Sequence, residues 1–70
     1  MKNVELKPGL EYIDLCDLMK IADMTDSGGA AKHLIAEGLV KVDGNVETRK
    51  RCKIRKGQVV EFKGQQVTLV

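Results

Sequence analysis

The sequence predicts an α+β domain in which two short packed helices sit against a small antiparallel sheet. Three observations carry this. Apolar residues recur at helical spacing at Leu15, Leu18, Met19 and Ala22, and again at Ala31, Leu34 and Ile35. From Leu39 onward the period drops to two, with glycine-marked turns at Asp43-Gly44, Lys56-Gly57 and Lys63-Gly64. Helical runs followed by strand runs, without alternation, point to α+β rather than to a parallel sheet.

Val4 and Leu6 flank Glu5 in a short strand that stops at Pro8-Gly9. Asp14 reads as an N-cap, with Asp17 adding negative charge to the first turn of a helix over 15–22. Ser27 is the favoured cap of the second helix, and Gly38 stands where a glycine stops it. Gly28-Gly29 in its first turn is unusual, because glycine costs about 0.5–1 kcal/mol relative to Ala in a helix interior. Leu39-Val40-Lys41-Val42 is rich in strand formers, and Asp43-Gly44-Asn45 turns it toward Val46. Residues 48–56 are basic and irregular. Gln58-Val59-Val60-Glu61-Phe62 forms a strand with Phe62 in the core, and 67–70 forms the last. No linker, repeat or low-complexity tract divides the chain, so 1–70 reads as one domain.

Seventy residues build only a small core, since a chain of about this size buries roughly 60% of its unfolded surface. A dry catalytic pocket would consume much of that, so the length favours a binding surface and no enzyme. The net charge is +2, unevenly spread. Residues 1–30 hold three Lys against six acids, whereas 31–70 hold nine Lys and Arg against four. Such asymmetry suggests a nucleic-acid or membrane partner. The N-terminus has no signal-peptide stretch, and no run approaches the roughly 18 apolar residues of a membrane span. A cytoplasmic protein with reduced thiols is expected, and no membrane partner. Cys16 and Cys52 then read as small, partly buried thiols. With His33 they lack the spacing of a zinc site, so no metal or other cofactor is expected.

The stretch Ala31-Lys32-His33-Leu34-Ile35-Ala36-Glu37-Gly38-Leu39-Val40-Lys41-Val42-Asp43-Gly44 resembles the core of the S-four type RNA-binding domain, the alpha-L motif. Arg55-Lys56-Gly57-Gln58-Val59-Val60 is similar to that family's downstream strand, so the resemblance spans roughly residues 13–62. It implies the alpha-L fold and binding of structured RNA, ribosomal or transfer, by a monomer with no small-molecule substrate. The chain looks like the small stand-alone YbcJ-like group, which carries Ser-Gly-Gly where Ser27-Gly28-Gly29 stand here. The wider family opens its helices with Arg-Leu-Asp and Ser-Arg-Ser. Asp14-Leu15-Cys16 and Ser27-Gly28-Gly29 lack both arginines, which shifts the expected RNA contact elsewhere.

Arg49, Lys50, Arg51, Lys53, Arg55 and Lys56 are six cations within eight residues, and they are the leading candidates for that contact. Phosphate neutralisation with counterion release is what gives such a cluster affinity for RNA, and Arg adds bidentate pairing. Without the surrounding pattern, a solvated basic loop explains the run equally well. Ser27, Gly28 and Gly29 are the second candidate, because a helix start without side chains admits an anion to its amides; Lys32 lies within a turn. A tight helix entry is the competing explanation and carries slightly more weight. Lys32 and Lys41 extend the positive surface or merely face solvent. Aromatics are limited to Tyr12 and Phe62, so backbone and shape recognition is expected over base reading. A second class of function, an adaptor for an acidic protein partner, fits the same basic patch. A sulfur carrier is not expected, because the chain ends Val67-Thr68-Leu69-Val70 rather than Gly-Gly.

Overall fold

The computed structural model describes residues 2–70, in the order β1 (Lys2–Val4), β2 (Ile13–Asp14), α1 (Leu15–Ile21), α2 (Gly28–Ala36), β3 (Lys41–Val42), β4 (Asn45–Val46), β5 (Lys53–Ile54), β6 (Val59–Phe62) and β7 (Gln65–Leu69). Five strands form one sheet in the order β1-β7-β6-β3-β4, and β2 pairs with β5 in a separate ribbon. The α+β expectation holds, with two helices and a mostly antiparallel sheet.

Helix α2 forms where its signals stand. The Ser27 hydroxyl accepts a hydrogen bond from the Ala30 amide at 3.1 Å, satisfying a donor that the first turn cannot. At the other end Gly38 adopts φ +79. Its amide donates to the Ile35 carbonyl, and the Leu39 amide donates back to Leu34. That pair of bonds is a Schellman stop, and it needs a left-handed residue that glycine supplies without strain.

Helix α1 begins after Asp14 as expected, but Asp14 makes no side-chain cap bond. It belongs instead to β2, and the Leu15 amide donates to the Cys52 carbonyl at 2.8 Å. The basic segment thus closes the start of α1. At the other end the Lys2 ammonium donates to the Ala22 carbonyl at 2.6 Å, a cation placed where the helix dipole favours it.

Two tight hairpins order the sheet. Asp43 and Gly44 both have positive φ between Val42 and its partner Asn45, and Lys63-Gly64 repeats the geometry between Phe62 and Gln65. This is the turn whose twist matches paired strands. The first strand departs from expectation. It lies at Lys2–Val4 rather than 4–6 and runs parallel to β7, with Val4 opposite Leu69, so the sheet is mixed. Leu6 is nonetheless buried, its amide bonded to the Val70 carbonyl.

The core is apolar throughout. Leu15, Leu18 and Met19 of α1 and Ala31 and Ile35 of α2 share one buried cluster with Val60, Phe62, Val67 and Leu69 from the sheet and with Val40, which precedes β3. Among the described residues no polar or charged side chain is buried, which avoids the cost of desolvating an unpaired group.

Candidate nucleic-acid interface

The basic segment is less irregular than its composition suggests. Ile54 is fully buried, and Cys52 and Ile13 pack against the core. Arg51, Lys53 and Arg55 are exposed. Side chains alternate across a strand, so with Ile54 buried Lys53 turns outward, and Arg51 and Arg55, which flank β5 on either side, are exposed beside it. In β2 the register sets Ile13 opposite Ile54 and Asp14 opposite Lys53. One step further, Tyr12 stands beside Arg55. The ribbon therefore turns Ile13 and Ile54 inward and Asp14 and Lys53 outward, with Tyr12, Arg51 and Arg55 at its ends beside the outward pair.

Tyr12 is the residue that sequence reasoning passed over. It is 37% exposed, with the Lys53 ammonium 5.0 Å and the Arg55 guanidinium 5.9 Å from its ring centroid. Both lie within cation–π range. The alternation of Cys52 and Ile54 with cations was a legible strand signal; the pairing that brings Tyr12 alongside was not.

Asp43 and Gln58 hold the far end of the segment. The Asp43 carboxylate accepts from the Val59 amide at 2.9 Å and from the Gln58 side-chain amide at 3.1 Å. Gln58 in turn accepts from the Arg55 amide at 2.8 Å. The Val59 amide chiefly, with Gln58 second, holds the Asp43 carboxyl below its ordinary pKa. A hairpin turn of the main sheet is thereby tied to the backbone of Arg55.

Arg49 is differently placed. Its guanidinium donates to both carboxylate oxygens of Glu47 at 3.0 Å, and its amide donates to the same group at 2.9 Å. The guanidinium bonds, followed by the amide, lower the Glu47 carboxyl to about 2. Arg49 is thus partly neutralised within the protein. Arg51 has a looser neighbour, Asp14, at 4.0 Å. A shallow hollow lies among Arg49, Arg51, Cys52 and Lys53. Burial, with Glu47 next in effect, raises the Cys52 thiol above its ordinary pKa, so it stays protonated near neutrality.

The remaining candidates lie on other elements. Lys50 and Lys56 are exposed beside the ribbon's cations. Lys41 faces solvent on β3, but Glu61 stands directly opposite it across the strands, so that face carries both signs. Lys32 is half-buried on α2. At Gly28 a Cβ would meet nothing within 4 Å, and at Gly29 only the Ser27 hydroxyl at 3.9 Å. Neither glycine has a positive φ, so packing and backbone geometry give no reason for glycine at either position. His33 pairs with Glu37 at 3.1 Å on the same helix. Among the described residues no group of His, Cys, Asp or Glu gathers to hold a metal, and no helix is long and apolar enough to cross a membrane.

Comparison with known proteins agrees with this geometry. The family model described as S4 domain matches residues 4–70. A protein of Escherichia coli (strain K12) named YbcJ is 58% identical over 59 residues, covering 84% of each chain. A Bacillus subtilis (strain 168) protein named "Probable ribosome maturation protein RlbA" is 39% identical over 54 residues, covering 77% of this chain and 76% of its own. The solution structure of YbcJ from E. coli, described as revealing an alfaL motif involved in RNA-binding, superposes with a TM-score of 0.77 at 51% identity. It covers all of this chain and 87% of that one.

Proposed function

The chain belongs to the S4 domain family, and on that premise we propose that it is a non-catalytic RNA-binding protein that docks structured RNA on a basic face. The observation that carries this is the exposed row of Lys53 on β5 with Arg51 and Arg55 on either side of it, flanked in turn by Lys50 and Lys56. Exposed cations two residues apart, in and beside a short strand, can meet successive phosphates of a folded RNA strand together. The description of the YbcJ structure supports RNA as the ligand. The name of the B. subtilis relative supports a ribosomal RNA over a transfer RNA. Contact through charge and shape leaves sequence preference modest. The protein acts as a monomer in the cytoplasm, and no bond is made or broken.

Arg49, Lys32, Lys41 and the Ser27-Gly28-Gly29 helix start lie outside this row and are secondary contacts. Arg49 must first give up Glu47, and Lys41 is offset by Glu61.

The test is RNA affinity against salt for the wild type and for a variant with Arg51, Lys53 and Arg55 changed to Gln. The wild-type plot of log K against log salt should fall by about 0.9 per phosphate contacted on a duplex, and the variant should bind more weakly with a flatter slope. Binding indifferent to both salt and the triple change would sink the assignment. Partners that stay bound after RNase digestion would point to the adaptor instead.

A further inference from the structure

Phe62 is 6% exposed and belongs to the core. Tyr12 is the sole tyrosine of a chain without tryptophan, and its ring lies beside two cations, Lys53 and Arg55, at the outer side of the ribbon. An aromatic there adds little to the core, which Ile13 and Ile54 already meet from the other side of the same ribbon.

We propose that the outer face of the β2–β5 ribbon is a subsite for one unpaired nucleotide, whose base stacks on Tyr12 while its flanking phosphates meet Lys53, Arg55 and Arg51. This deepens the RNA-binding reading above and rests on it. The chemistry is complementary at both ends of the nucleotide. A base offers a π-face whatever its identity, and an aromatic platform beside a cationic track is how single-stranded segments are held. The ammonium of Lys53 and the guanidinium of Arg55 already sit 5.0 and 5.9 Å from the ring. They can therefore reach phosphates on either side of a base placed against it. Arg55 is also held at its amide by Gln58, which Asp43 fixes in turn. Less motion has to be frozen when such a site is filled. A base inside a duplex has both faces covered by its neighbours, so the subsite takes a bulged or looped base.

The experiment uses two RNAs, a blunt duplex and the same duplex interrupted by one unpaired adenosine. They are titrated with the wild type, Tyr12→Phe and Tyr12→Ala. Tyr12→Ala should weaken binding of the bulged RNA roughly tenfold and change binding of the blunt duplex less than about twofold. The salt slope should not move, because no cation is removed. Tyr12→Phe should match the wild type on both RNAs, since the phenyl ring keeps the π-face. Tyrosine emission of the wild type should be quenched along the binding curve of the bulged RNA and not by the duplex. Equal losses on both RNAs would overturn the subsite, because the ring would then only be positioning the two cations. Unchanged affinity for the bulged RNA, or no quenching, would overturn it as well. A wild type that binds neither RNA would instead remove the RNA-binding reading on which the subsite stands.

Discussion

Glu47 grips Arg49 through both carboxylate oxygens at 3.0 Å and takes the Arg49 amide at 2.9 Å, so one acid occupies the first cation of the basic segment. Glu47→Gln keeps the size of the side chain and removes the charge that offsets Arg49. RNA affinity at low salt should rise a few-fold, and the salt slope should steepen by up to about 0.9, one further phosphate contact. Filter binding across a salt series measures both. No change in slope would mean that Arg49 stays turned away from RNA even when released.

The same acid sets part of the acid stability. Its carboxyl lies at about 2 in the fold against an ordinary 4.5, and Asp43 is shifted in the same direction. A group depressed in the folded state contributes stability in full above its unfolded pKa and loses it as pH falls toward the folded one. Both contributions should therefore be constant near neutrality; that of Glu47 should fade between about pH 4.5 and about pH 2, and that of Asp43 as pH falls below its ordinary 3.8. Urea midpoints across that range should show a shallower acid loss in Glu47→Gln and in Asp43→Asn than in the wild type.

Asp43 has a conformational role as well as an electrostatic one. It sits at φ +51, a region that Asn and Asp enter more readily than other non-glycine residues. Asp43→Asn should keep the turn and an acceptor for the Val59 amide. Asp43→Ala loses both acceptors and strains the backbone, so its Tm should fall by several degrees more. Because Gln58 would no longer be held, the amide of Arg55 should also exchange faster with solvent than in the wild type.

The glycines at the two ends of α2 divide by their surroundings. Gly38→Ala places a side chain at φ +79, and the left-handed backbone should cost roughly 1–2 kcal/mol even though the new Cβ would lie 3.7 Å from Val46. Gly28→Ala meets open space and Gly29→Ala only an ordinary contact with the Ser27 hydroxyl at 3.9 Å, both without a positive φ. Each should leave stability unchanged or raise it by up to about 1 kcal/mol. If the bare helix start admits a phosphate, the same two changes should lower RNA affinity. Thermal melts and binding curves on one set of proteins separate the roles. A stabilised variant with unaltered binding would assign Gly28-Gly29 no part in RNA contact.

Much of this was legible in the amino-acid sequence because the signals are local. Ser27 and Gly38 bound a helix through bonds to residues three to five positions away, and Asp43-Gly44 turns a hairpin whose strands are adjacent in the chain. Helical spacing at Leu15, Leu18 and Met19 marked side chains that are fully or almost fully buried. The exposed cations of 49–56 were visible for the same reason, since each is a property of one residue.

What sequence by itself determined, then, was two helices, the second with its Ser27 cap, two tight hairpins, the apolar core and the presence of a basic segment. Tertiary structure alone decided the parallel pairing of β1 with β7, the β2–β5 ribbon and the neighbours of each cation. These are contacts between residues distant in the chain, made by strands of two or three residues with too little pattern to announce themselves. Asp14 shows the limit most clearly: its cap position was read correctly, but its partner is Arg51 at 4.0 Å rather than its own helix. Tyr12 lies at the same limit. Only when Ile13 and Ile54 turn inward together does its ring come to lie beside Lys53 and Arg55, because burying two apolar side chains of a pleated ribbon on one face leaves their neighbours on the other.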